Sequence, residues 1–375
     1  MNRTLKNALI VACALALAGV LIVCAAYAFG ARPGLLWNTG RWGFPYVNIG
    51  ASGMSGYRAW DNAFDADGNY EIAPDKIESL ALDWIAGNVT ILIDDGNEIR
   101  LSEKAAAPIP EEAALRYGVE NGTLHVQYCP QNAKGRLPEK ELIVTIPRAL
   151  ADNMASFSYD ASSASLLVND IVAQSFHFDS SSGNLEAASI RADTVKLNAS
   201  SGDIRFSGEY AKLDADTSSG KVTLESLGNA ASTAINTSSG DVHISGNMGD
   251  LTVDTTSGMV SSFGALTATS LNADTSSGTV NLAGSFDKAR VGTTSGTVSL
   301  AFTACPQKLD VETSSGDVTL SLPRESGFTL RYDTSSGEMD CDFAVVMDGK
   351  KFVGGDGSAQ LSVDTSSGNL RVKVQ

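Results

Sequence analysis

A Ser-Gly step preceded by Ser or Thr recurs ten times along this chain, with its glycine at 183, 202, 220, 240, 258, 278, 296, 316, 337 and 368. Successive glycines are 19, 18, 20, 18, 20, 18, 20, 21 and 31 residues apart. A period held near 19 is the mark of a repeat architecture, in which each unit buries its apolar face only by stacking on the next. The alternating 18 and 20 gaps are consistent with two slightly different units in turn.

Counted from each glycine, apolar residues stand at −7 and −5, as in Leu213/Ala215, Leu251/Val253, Leu309/Val311 and Leu361/Val363. They return at +2 and +4, as in Val222/Leu224, Val242/Ile244, Val280/Leu282 and Val318/Leu320. Alternation on both sides of a Ser-Ser-Gly turn predicts two short half-buried strands per unit. The glycine is expected to supply a positive φ for the turn. The fold class that follows is all-β: a two-sheet β-solenoid of about 19-residue rungs, on the order of 50 Å long at about 4.8 Å per rung. A propeller blade needs roughly 40 residues, about twice this period.

Position −3 falls on the inward side and is Thr in eight copies, at 217, 237, 255, 275, 293, 313, 334 and 365. Position −4 points outward and carries Asp179, Asn198, Asp216, Asn236, Asp254, Asp274, Glu312, Asp333 and Asp364, with Gly292 breaking the row. The row is expected to be structural, each side chain capping its turn by accepting a backbone N–H two residues on. A cation- or ligand-binding ladder is the alternative, weakened by the repulsion between neighbouring carboxylates, about 1 kcal/mol in water.

Ahead of the repeats, Ala8–Phe29 is a run of 22 residues without a charge, long enough for one membrane-spanning helix. Arg3 and Lys6 precede it, which predicts a cytoplasmic tip and anchor over 1–30 and residues 31–375 outside, at the cell membrane. Ala26-Tyr27-Ala28 also resembles a signal-peptidase site, and Ile10-Val-Ala-Cys13 formally resembles a lipobox. Residues 31–70 read as a juxtamembrane linker, 71–160 as an N-terminal cap with the first rungs, and 161–375 as the regular solenoid. The last stretch carries a hairpin insertion near 345–358, signalled by Asp348-Gly349 and expected to cover the C-terminal sheet edge. Lys350, Lys351 and Phe352 on that hairpin are the candidate contact site.

With 27 basic against 43 acidic residues the net charge is −16, which argues against nucleic acid and anionic lipid surfaces as partners. His125, His177 and His243 lie far apart at outward positions, without metal-ligand spacing. Only Cys129, Cys305 and Cys341 lie beyond the apolar run, too few for a disulfide framework. No Gly-x-Ser-x-Gly elbow occurs, no catalytic residue or cofactor is expected, and serines repeated in ten equivalent turns cannot all be nucleophiles.

Three stretches carry a family resemblance: Trp84-Ile-Ala-Gly87-Asn-Val-Thr-Ile91, Leu142-Ile-Val-Thr-Ile-Pro147, and repeats such as Thr237-Ser-Ser-Gly-Asp-Val242 and Thr313–Val318. Over roughly 71–375 the chain resembles a bacterial family of unknown function labelled adhesin-like, often carried on envelope proteins. The resemblance implies a β-solenoid and no catalytic residues. Some relatives look like accessory membrane proteins of envelope-stress operons.

The expected function is therefore a non-enzymatic, membrane-anchored, extracytoplasmic adhesin-like or envelope-interaction protein. Its partner would be a surface glycan or protein, or an envelope membrane protein. An accessory sensor or regulator of an envelope-stress response is the alternative, and a carbohydrate-active β-helix enzyme ranks last.

Overall fold

The computed structural model describes residues 36–37, 46–49, 54 and 56–375. The expected anchor at 8–29 lies outside them. Among the described residues no helix is long and apolar enough to cross a membrane.

The chain is all-β, and its strands stack in parallel, in-register ladders. Each regular rung is a strand before the Ser-Ser-Gly turn and a strand after it. Strands before the turn stack on one another, as Ile204–Thr217 does on Ser232–Thr237 (Leu213 beside Thr233, Thr217 beside Thr237). Those after the turn do the same, Val222 beside Val242 and Leu224 beside Ile244. The alternation holds throughout, so that Leu213, Ala215, Val222 and Leu224 are buried while Asp216 and Lys221 are exposed. The turns join the stack: Ser219 N–H donates to the Ser200 carbonyl, and Ser239 N–H to that of Ser218.

Two features of the turn differ from the sequence expectation. None of the ten repeat glycines has a positive φ. Glycine is required there for room: a Cβ built on Gly220 would overlap the carbonyl oxygen of Gly202, and one on Gly240 that of Gly220. The capping bond assigned to the −4 row is made by the residue beside it. The glycine N–H donates to the Oγ1 of the −3 threonine at 2.8–3.1 Å in eight turns, and to Ser180 Oγ in the first. A hydroxyl one residue closer to the turn reaches that N–H from the buried side, leaving the −4 side chains to face outward. There Asn198 donates to Asp179 at 3.2 Å and Asn236 to Asp216 at 2.7 Å, each across one rung.

Position +1 adds a second clasp. Lys221 N–H donates to Asp203 Oδ1, Met259 N–H to Asp241 Oδ1 and Asn369 N–H to Asp317 Oδ1, at 2.8–2.9 Å. The aspartate of a Ser-Ser-Gly-Asp turn thus holds the neighbouring rung's backbone.

At both ends the rungs are stacked out of chain order. Ala359–Thr365 lies between Lys308–Thr313 and Phe328–Thr334, parallel to both. Leu370–Val374 likewise lies between Val318–Leu322 and Met339–Cys341. The last rung in sequence is therefore last but one in space. At the other end Ser79–Trp84 sits between Thr123–Gln127 and Met154–Ala161, and Asn88–Asp94 between Lys140–Pro147 and Ser165–Asn169.

Antiparallel strands cover the outermost rungs: Ile99–Ala105 on Lys140–Pro147, and Arg116–Glu120 on Thr123–Gln127. Part of the 31–70 stretch packs here too. Tyr46–Ile49 pairs with Gly135–Pro138, and Tyr57 is buried with its hydroxyl donating to the Asp83 carbonyl.

Inside this cap lies a buried ion pair, Lys140 Nζ to Glu103 Oε2 at 2.7 Å, with both side chains essentially inaccessible. Lys140 also donates to the carbonyls of Ala113 and Tyr128, and Glu103 Oε1 accepts from Leu115 N–H at 2.9 Å. Burial lowers the Lys140 pKa, and the Glu103 carboxylate opposes that. With every polar group matched, the pair is a hub joining three strands and a turn.

Candidate functional site

The C-terminal hairpin is the most exposed apolar feature among the described residues. Val345–Asp348 and Lys351–Gly354 pair antiparallel around Gly349 and Lys350, with Gly349 in the left-handed region at φ 62°. The inner strand, Lys351–Gly354, pairs with Phe328–Arg331 and so covers the edge of the last rung. The outer strand carries Val346 and Met347, 72% and 68% exposed, against 52% for the next large apolar side chain. Beside them Lys350 and Lys351 are exposed. Phe352, grouped with the lysines in the sequence reading, is partly buried and packed against the core. The tip therefore offers two apolar side chains on a strand that is paired on one side, next to two cationic side chains at the turn and the start of the inner strand.

The register brings the −4 row together in the order Asp274, Gly292, Glu312, Asp364, Asp333. Along this stretch lies an open groove of about 650 Å³, lined by the turn threonines and serines, with the Asp274 carboxylate leaning into the space that a Cβ on Gly292 would take. Arg290 pairs with Glu312 at 3.0 Å and Arg331 with Asp333, neutralising two of its carboxylates. Further along the row, burial and the Asp274 carboxylate push the Asp254 carboxyl up. Among the described residues no group of His, Cys, Asp or Glu is arranged to hold a metal ion. This groove suits a hydroxylated or cationic ligand held by hydrogen bonds.

The histidines stay apart. His125 stacks on Trp60 with ring centroids 5.9 Å apart, and burial followed by Arg58 lowers its pKa. His243 Nδ1 lies 2.9 Å from Ser261 Oγ on the next rung, its pKa lowered by burial and then by Lys221. Cys129 is buried, and burial pushes its thiol up to about 12; Cys305 and Cys341 are partly buried and shifted the same way. A thiol held protonated is a poor nucleophile.

Four residues escaped the sequence reading, of which strand parity could have found Lys140 and Glu103. Val346 and Met347 lie in the very hairpin singled out, but alternation does not say which strand is outermost. Lys140 shares strand parity with Leu142, Val144 and Ile146, and Glu103 with Ile99 and Leu101, which marks both as inward.

An in-register β-stack of Ser-Ser-Gly turns, capped at both ends, defines the class. The chain belongs to the Toastrack family, DUF4097, whose model matches residues 77–283 and again 207–373. Among solved structures it is similar to a putative cell adhesion protein from Clostridium sporogenes, at 12% identity over 82% of this chain and 99% of that one, with a TM-score of 0.18. It is also similar to a putative adhesin from Bacteroides fragilis, at 10% identity over 67% of this chain and 94% of that one, with a TM-score of 0.35. No curated protein matches the chain.

Proposed function

We propose that this protein is a non-enzymatic, envelope-displayed interaction module that contacts its partner through the C-terminal hairpin. The observation that carries the reading is the exposure of the adjacent Val346 and Met347 beside Lys350 and Lys351, greater than that of any other large apolar side chain among the described residues. Two apolar side chains left in water and flanked by cations fit a protein or glycan surface with apolar and anionic features. The uncharged run 8–29 supports anchorage at the cell membrane, with the rungs holding the hairpin away from it.

Binding of the protein from residue 46 onward to whole cells, isolated cell wall and a glycan panel tests the reading. Saturable binding that is lost in the V346D/M347D variant, with the circular dichroism spectrum unchanged, is the expected result. Undiminished binding by that variant moves the contact to the solenoid faces. Binding to no surface overturns the interaction reading in favour of the accessory envelope-stress role.

A further inference from the structure

The out-of-order C-terminal rung has a consequence for how two copies of this chain meet. Residues 359–374 fill a slot whose four walls, Lys308–Thr313, Val318–Leu322, Phe328–Thr334 and Met339–Cys341, all precede them in the chain. Until the slot is filled, each wall presents an unpaired strand edge toward it, a template for any extended segment of matching pattern. Residues 323–327 alone bridge the two sides. Five residues reach up to about 17 Å, enough to step over one rung to the second, about 9.6 Å away.

We propose that this slot is an exchange site, filled in cis by residues 359–374 of the same chain and in trans by the same residues of a second copy. Three observations converge on that occupant. Among the described residues the segment follows all four of its walls in the chain, so it can leave without breaking the connection through 323–327 that joins them. Its tether contains Gly354-Gly355-Asp356-Gly357, with Gly355 and Gly357 at φ 58° and 71°, a hinge that few side chains would restrict. Its contacts are also indifferent to source: Leu361 and Val363 meet Leu309 and Val311 on one side and Leu330 and Tyr332 on the other. A rung at the tip of an ordinary solenoid contacts one neighbour. This one contacts two, so a traded rung joins the copies through two ladders per strand.

Thr319 and Arg371 are register partners across the slot wall. Adjacent strands are about 4.8 Å apart, within the Cα separation a disulfide spans. Full-length T319C and R371C chains, each with its own affinity tag and with Cys13, Cys24, Cys305 and Cys341 replaced by alanine, are expressed together in one cell. The expected result is a disulfide-linked heterodimer on a non-reducing gel, increasing with expression level. A single chain carrying both substitutions forms the bond internally. Coexpressed single variants that stay monomeric while the double variant closes its bond overturn the proposal. So does an equal yield of heterodimer when T223C, on a distant rung, replaces T319C. Failure of the double variant to close overturns the rung order itself.

Discussion

The carbonyl oxygen of Gly202 occupies the position that a Cβ on Gly220 would need. The same relationship repeats along the stack, and it states the rung order by itself: Gly368 lies against Gly316, and Gly337 against Gly368. Gly220→Ala is therefore expected to destabilise the protein by about 1–3 kcal/mol through overpacking. Gly349→Ala meets open space, and its cost, about 1 kcal/mol, comes from the left-handed backbone alone. Urea unfolding of the two variants separates these causes, because a larger residue at 220 raises the cost further while one at 349 does not.

The threonine at −3 accepts the N–H of the turn glycine. In Thr275→Val the Gly278 N–H, which donates to Thr275 Oγ1 at 2.9 Å, loses its acceptor inside the stack. The expected loss is about 1–3 kcal/mol, the cost of an unpaired buried donor. Thr275→Ser keeps the oxygen and should lose much less, as Ser180 already does this work for Gly183. Thermal unfolding of the pair is the check, and equal losses would mean that the methyl group rather than the hydrogen bond matters.

Breaking the Lys140–Glu103 pair from either side strands a charge among Trp84, Tyr70 and Tyr128. Lys140→Met and Glu103→Leu alone are each expected to cost about 3–5 kcal/mol. The double variant should cost less than either, since no uncompensated charge remains. A double-mutant cycle by urea unfolding reads the coupling directly.

Tyr70, whose hydroxyl donates to Glu103 Oε1, carries a pKa pushed up to about 12 by burial and then by the Glu103 carboxylate. The unfolded phenol ionises near its ordinary value of 10 while the folded one stays neutral. Its contribution to stability is thus whole below pH 10 and lost as the pH rises through about 12. Tyr70→Phe should flatten this part of the alkaline decline in a pH series of unfolding free energies. An unchanged slope would mean that the phenol ionises equally in both states.

The strands and their burial were legible in the sequence because alternation reports parity directly: Leu213, Ala215, Val222 and Leu224 are all buried as the pattern demands. The identity of each strand's neighbour was not legible. Leu309/Val311 fits Leu361/Val363 as well as Leu330/Tyr332, so nothing local distinguishes chain order from the inserted order. The 31-residue gap before Gly368 marked the place without revealing the crossover. The glycines were legible as necessary, but a sequence cannot tell a backbone that needs a positive φ from one that needs space. At the hairpin, the turn at Asp348-Gly349 could be read. The exposure of Val346 and Met347 could not, since it depends on the inner strand having already taken the rung's edge.

Because the rungs stacked out of chain order are confined to the two ends, the middle of the stack is free to change length. Gene duplication of one 18- to 20-residue unit between Gly202 and Gly296 would add a turn whose glycine, threonine and apolar positions fit those already beside it. Each addition or deletion would move the terminal hairpin by about 4.8 Å and leave both closures untouched. Descendants of such a gene could set the distance between the N-terminal cap and the hairpin by counting rungs.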